Sequence, residues 1–458
     1  MSFLRSHKRY HWRAAPLRPL LAKEVREILS GRSLWTMLLL LCPLIGYSFL
    51  QAVSLYSESS SAALRSPALA SSLSPFDGIL VPTLGSFYVA VTLLFPFVAI
   101  RVLGQEKESG ALRLLIQLPY RSPTLVVAKL LAVILAWTLA CIPAFSALAV
   151  WHSLGGHLSL AETSNLLFGH LLYGSLVGAL GLFAASITES ATTAAIIALA
   201  VTIGSWVLDF AVAGESGVLG WIAKLSLTQS LRPFEQGLLS GGLVLGLASV
   251  IGGLIALASV WLPPGIPPYR KLRRSVPCIL TVAAILGAAT QAGWSVDVTE
   301  DRRNSFAAAD QQLLATLSLP LVIKVQLAPE DPRYADLQRN VLSKLGRAMP
   351  QVSVTLAGSR QYSPLSSGEE SYGQVEYVYG NRSDISRSTS PREILPLIYN
   401  LADVSPPSST TGSEYPGYPL VVSPSVSLFW FIGALPLLIA LCWWWRRHSR
   451  SLRLLSRS

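Results

Sequence analysis

The chain has 458 residues, 51% of them hydrophobic and only 13% charged, against roughly 25% charged in an ordinary soluble domain. That composition excludes a soluble globular protein and describes one built for a membrane. The formal net charge of +11 invites a nucleic-acid reading, but segment 296–425 is slightly acidic, so the excess lies on the apolar part and no nucleic-acid partner is expected.

Apolar stretches of about 20 residues match a hydrocarbon core of roughly 30 Å at 1.5 Å per helical residue. Eight are found, near 34–53, 81–100, 125–150, 164–187, 191–212, 237–262, 276–294 and 426–445. Ahead of the first, "LRPLLAKEVREILSGRS" (17–33) spaces Leu17, Leu20, Leu21, Val25, Ile28 and Leu29 as a helix, with Lys23, Glu24, Arg26 and Glu27 on the remaining face. It reads as an amphipathic helix lying in the interface. The first apolar run starts only near Leu34 and no small-residue cleavage pattern follows it, so it reads as a retained span and not a signal peptide.

Positive charge alternates between loops. Arg5, Lys8, Arg9, Arg13, Arg18, Lys23, Arg26 and Arg32 precede span one, and Arg446, Arg447, Arg450, Arg453 and Arg457 follow span eight. Arg101, Lys107, Arg113 and Arg121 follow span two, and Arg270, Lys271, Arg273 and Arg274 follow span six. The intervening loops hold only Arg65 in the first, none in the second, and Lys224 with Arg232 in the third. The positive-inside rule then puts both termini in the cytoplasm and segment 296–425 outside it. Cys42, Cys141, Cys278 and Cys442 all fall in apolar runs, where disulfides are not expected.

The stretch "GQEKESGALRLLIQLPYRSP" (104–123) sets charges and an apolar patch, Leu112, Leu114, Leu115, Ile116 and Leu118, between two spans on the cytoplasmic side. The patch is more than topology requires and suits docking into a cleft on a soluble partner, with Leu115 as a buried anchor and Lys107 as a mere exposed ion-pair residue. Segment 296–404 reads as a small α/β unit. It has a strand in "LPLVIKVQL", a helix capped by Asp331 with Pro332 first, strands "VSVTL" and "VEYVY", and a helix opened by a capping box from Ser390 to Glu393. Residues 405–420 are a linker by composition.

No G-x-x-x-x-G-K-[ST] phosphate loop occurs, so the chain is not expected to bind nucleotide that way. The string "LSGG" (239–242) opens an apolar span and reads as packing glycines. The six histidines lie outside the α/β unit, which also lacks cysteine, leaving it no nucleophile–histidine pair and no zinc set. His152, His157 and Glu162 share one loop and read as solvated; Asp209 reads as interfacial. No catalytic residue, cofactor or metal is expected.

The segment "GQEKESGALRLLIQLPYRSPTLVVAKLLA" resembles the cytoplasmic signature of ABC-2 type permeases, with Glu106, Glu108, Gly110, Leu118, Pro119, Arg121 and Lys129 in matching places. Ala111 and Arg113 depart from the family's threonine and glutamate. "LLAKEVREILSGRSLW" resembles the family's elbow helix, and "LSLTQSLRPFEQGLLSG" (225–241) its re-entrant stretch before the last span. The part from "DVTEDRRNSF" onward resembles the extracytoplasmic domain of gliding-motility-type auxiliary proteins, in a shorter copy. Together these imply a mainly α-helical polytopic membrane protein of about eight transmembrane helices with one small α/β extracytoplasmic domain. They divide the chain into a basic N-terminus with elbow helix (1–33), a six-helix permease domain (34–262), a basic loop with helix seven (263–295), the auxiliary domain (296–404), a linker (405–425), and helix eight with its tail (426–458).

The resemblance implies a permease subunit in a bacterial inner membrane, paired as a homodimer or heteromer in the lipid bilayer. A separate cytoplasmic ATPase would bind the ATP, and a further partner could meet the auxiliary domain. Coupling falls to Glu106, Glu108, Gly110, Leu115, Leu118, Pro119 and Arg121, with Lys23, Glu24 and Arg26 of the elbow. The alternative is a non-transporting scaffold that assembles an envelope complex.

Overall fold

The structure, a computed structural model, describes residues 17–211, 226–291, 294–328, 331–349, 351–356, 372–407 and 415–455. Outside these lie the basic residues before Leu17, Lys224, the start of the re-entrant stretch, the middle of the linker and Arg457; the side chains of Asp209, Arg450 and Arg453 are likewise not described.

Among the described residues eight helices are long and apolar enough to cross a membrane: Arg32–Ala63, Phe76–Glu108, Ser122–Ser153, Leu160–Ile187, Ala191–Leu208, Gly241–Trp261, Pro268–Ala289 and Ser427–Arg447. They are numbered here as spans one to eight. The chain is a helical polytopic membrane protein with a small α/β unit. Span seven starts earlier than its apolar run, because the basic stretch Arg270–Arg274 winds into its first turns.

Span four is the hub of the bundle, and small residues make it so. A Cβ at Gly181 would stand 2.9 Å from the Ala99 Cβ of span two, and one at Gly178 2.8 Å from Val133 of span three. Without a hydrophobic drive in lipid, such close backbone approach is how helices gain contact. Span eight packs on span one, where Phe431 lies with its ring 5.7 Å from that of Phe49.

The connecting segments sort to two ends. At one end helix α1 (Leu17–Ser30), helix α2 (Ala111–Gln117) and the start of span three meet. At the other, Leu73 to Asp77, His157 to Glu162, Gln236 to Ser240 and the leads of the α/β unit meet.

In the α/β unit the sheet runs β4-β3-β5-β6, with β3 (Leu321–Val325), β4 (Val352–Leu356), β5 (Val375–Tyr379) and β6 (Arg382–Ser386). β3 and β4 are parallel, joined by a helix over 332–348 that carries a π turn at Gln338–Leu342. β5 is antiparallel to both β3 and β6. Leu321, Ile323, Val325 and Tyr377 meet Leu337, Val341 and Leu345 of that helix and Ile394 and Ile398 of the helix Pro391–Ala402 in one core. Asp331 caps its helix, its carboxylate accepting from Arg333 N at 2.9 Å. Ser390 stands at the expected N-cap but makes no side-chain capping bond, so the capping box is not formed.

A further helix, Ala308–Thr316, and two further strands, β6 and β2 (Ser295–Asp297), have no counterpart in the sequence reading. β2 pairs with β1 (Leu238–Ser240) just ahead of span six, which ties the α/β unit to the helical part.

Candidate functional site

Helix α1 buries Leu20, Glu24 and Ile28, four residues apart. Glu24 therefore does not share the polar face with Arg26, as its charge implied; it sits within the apolar stripe. Two other charged groups are waiting there. Glu106 comes from the last turn of span two and Lys129 from two turns inside span three, and all three are at most 2% exposed.

Lys129 Nζ lies 3.0 Å from Glu24 Oε2 and 2.7 Å from Glu106 Oε2, and also donates to the Val102 carbonyl at 3.2 Å. Glu106 Oε2 has the ion pair without hydrogen-bond alignment. Lys23, at the rim, bonds the other Glu106 oxygen and lies 3.2 Å from Glu24 and 3.4 Å from Glu27. Charges taken out of water persist only when paired, and here two ammonium groups balance two buried carboxylates. Burial pushes the Glu24 carboxyl above its ordinary value, with the Lys129 charge opposing. For Lys23 burial pulls downward, but the hydrogen bond to Glu106 and the charges of Glu24 and Glu106 outweigh it and hold the ammonium above its ordinary value. Glu24, Glu27 and Glu106 converge closely enough to suggest a cation site. With two lysines already among them, the donor set is an ion-pair node and does not fit a metal.

The node locks α1 to the ends of spans two and three. Lys107 extends it. Its Nζ donates to the carbonyls of Ala185 at 2.7 Å, Ser186 at 2.9 Å and Thr188 at 2.7 Å, capping the C-terminal end of span four. Lys107 is thus a structural tie and not the exposed ion-pair residue its sequence setting implied.

Span two ends at Glu108, and Gly110 at φ 74° turns the chain into α2. Seven residues of helix split the apolar patch: Leu112 is buried and Ile116 packs on the core, while Leu114 is 67% and Leu118 47% exposed. Leu115 is only half-buried, and Glu108, Arg113, Pro119 and Arg121 are exposed around the patch, as is Arg26 on α1. The structure therefore joins Lys23, Glu24 and Glu106 into one site and leaves Glu108, Gly110, Leu115, Leu118, Pro119 and Arg121 on an adjoining surface. Lys129 enters the sequence reading through the family signature. A single lysine inside "TLVVAKLLAVILAW" is costly in a membrane, and that cost was its own signal.

The loop holding His157 and Glu162 is not merely solvated. His157 Nε2 lies 2.9 Å from Glu300 and its ring stacks on Tyr418 at 3.7 Å, while buried Glu162 accepts from Glu300 N at 2.9 Å. "LSGG" is packing sequence as expected, with Gly241 against Trp294.

No curated protein matches the chain at a significant level. Residues 18–214 match the family model described as ABC-2 family transporter protein, a stretch that runs from α1 past span five and includes every member of the charge node.

Proposed function

We propose that the chain is the membrane-spanning subunit of an ABC transporter, driven by a separate cytoplasmic ATPase that binds the ATP. The observation that carries this reading is the buried node within the family-matched stretch: α1 cannot shift relative to spans two and three without unpairing charges in a dry site. A partner pushing on α1 or α2 would therefore move those spans, and through Lys107 span four as well.

The surface offered to the ATPase is Leu114 and Leu118 with a rim of Glu108, Arg113, Pro119 and Arg121. The termini and α2 lie in the cytoplasm of a bacterial cell, the complex contains two permeases, and the α/β unit serves as a gliding-motility-type auxiliary domain meeting an envelope partner. Export and mechanical work on an envelope substrate are both compatible with this coupling.

Full-length chain purified from its own membranes should carry an ATPase. Truncating a buried interface anchor costs about 2 kcal/mol or more, or roughly thirtyfold in affinity. Leu114→Asp should remove most of the co-purifying ATPase activity while the chain reaches the membrane at wild-type level. Retention of that activity in Leu114→Asp and Leu118→Asp alike would overturn the docking surface, and absence of any ATPase from the wild-type chain would favour the scaffold.

A further inference from the structure

A cavity of about 710 Å³ opens between the antiparallel β1–β2 pair and two helices of the α/β unit, with Asp297, Thr299, Arg302, Asn304, Gln311 and Arg347 on its walls. A volume of that size is ample for a small ligand. Asp297 has no acceptor to spare: its Oδ1 takes Thr299 N at 3.1 Å and Thr299 Oγ1 at 2.6 Å, and its Oδ2 takes Asn304 N at 3.0 Å and Ser305 Oγ at 2.8 Å.

The two arginines are in the opposite position. Arg303, Arg333 and Arg382 each hold a carboxylate. Among the described residues neither Arg302 nor Arg347 has one within ion-pair distance, and Arg347 donates only to the Asn304 carbonyl. Arg302 sits at φ 49°, a left-handed conformation that residues with side chains rarely adopt and that tends to occur at functional positions.

The height of the cavity follows from its walls. β1 ends at Ser240, where span six begins, and β2 starts at Ser295, shortly after span seven ends at Ala289. Between them Trp294 packs on Gly241, where a Cβ would come within 2.1 Å of the indole, yet it is 56% exposed. Tryptophan in that setting marks the headgroup layer. The cavity thus opens where lipid phosphates lie, and guanidinium groups bind phosphate through a planar fork of donors.

We propose that this cavity holds the phosphate headgroup of an anionic amphiphile from the adjacent leaflet, with Arg302 and Arg347 as its donors and the chains lying along Trp294 and the flank of spans six and seven. The site stands independently of any ATPase. The test is native mass spectrometry of the full chain released from vesicles of equal phosphatidylglycerol and phosphatidylcholine. The wild type should retain phosphatidylglycerol preferentially. The Arg302→Gln, Arg347→Gln double variant should lose roughly thirtyfold of that preference, the product of two basic residues each contributing roughly fivefold near an anionic membrane. The Lys324→Gln, Arg382→Gln double variant, an equal charge change on β3 and β6 outside the cavity, should keep it. The Arg302→Lys, Arg347→Lys variant should retain a partial preference, which separates charge from misfolding. No preference in the wild type, or an unchanged one in the glutamine double variant, would overturn the site. Competition by glycerol 3-phosphate as effective as that of the lipid would also overturn it, since the ligand would then be a free phosphate compound.

Discussion

Lys129 shows how much one side chain can hold when three helices depend on it. Removing one partner from a buried ion pair costs about 3–5 kcal/mol, because the other charge is stranded. Lys129→Met should therefore lower the thermal unfolding temperature of the detergent-solubilised chain sharply, whereas Arg26→Met, exposed on the same helix system, should leave it nearly unchanged. Replacing the whole buried set by Glu24→Gln, Glu106→Gln and Lys129→Met should recover most of the loss, since the buried set is then neutral and Lys23, exposed at the rim, keeps Glu27 at 3.4 Å. If the triple variant is no more stable than Lys129→Met alone, the balance of charge is not what holds the node.

Lys23 adds a pH dependence whose sign is fixed by its raised folded value. A lysine held above its unfolded value contributes stability that is fully present below that value and is lost as pH rises through the folded one. The stability difference between wild type and Lys23→Met should be flat through neutral pH. It should decline only beyond the ordinary lysine value of 10.5, as read from denaturation midpoints across a pH series.

Among the elements, α2 separates what composition runs together. In "LRLLIQL" every leucine looks equally available, but a helix of seven residues sends Leu112 and Ile116, four apart, inward and Leu114 outward, and Leu118, in extended backbone just past the helix end, is exposed beside it. Leu112→Asp should accordingly reduce the amount of chain found in the membrane, and Leu114→Asp should not. Equal membrane yields for the two would contradict that division.

The same physics decides which parts of the α/β unit could be read. β3 and β5 bury alternate residues and announce themselves; β6, "RSDIS", is an exposed edge with no apolar alternation to see. Its one local signal was the Gly380-Asn381 turn after β5, with Gly380 at φ 61°. The helix Ala308–Thr316 buries Leu314 but lacks a continuous apolar stripe, so it too passed as loop. Glu24 misled for a related reason. Leu20, Glu24 and Ile28 share a stripe, and only the presence of Lys129 opposite turns the middle position from an error into a contact. Such a partner, 105 residues away, is invisible to periodicity.

For the whole molecule, the spans and their alternation were legible because bilayer thickness and loop charge are properties of the sequence itself. The joins at the α/β end were not, since they are made by polar side chains from distant loops. Orientation is read by labelling. In a chain with Cys42, Cys141, Cys278 and Cys442 replaced by alanine, Ser383→Cys on β6 should react with an impermeant thiol reagent in intact cells, and Ser109→Cys after span two should not. The reverse pattern would invert the topology.

The α/β unit is entered through residues 297–305 and left through 418–422, and both leads are fastened to the bundle. On the way in, Arg303 holds Asp77 and Ser74, and Glu300 meets His157 and Glu162. On the way out, the Tyr418 carbonyl accepts from Tyr56 at 2.7 Å, and Leu420 N and Val422 N donate to Ser60 and Ser57 of span one at 3.0 Å each. A body tethered at one point swivels and at two rocks about the line between them; the β1–β2 pair supplies a third hold, so the unit has no free hinge and shifts only if the end of the bundle shifts with it.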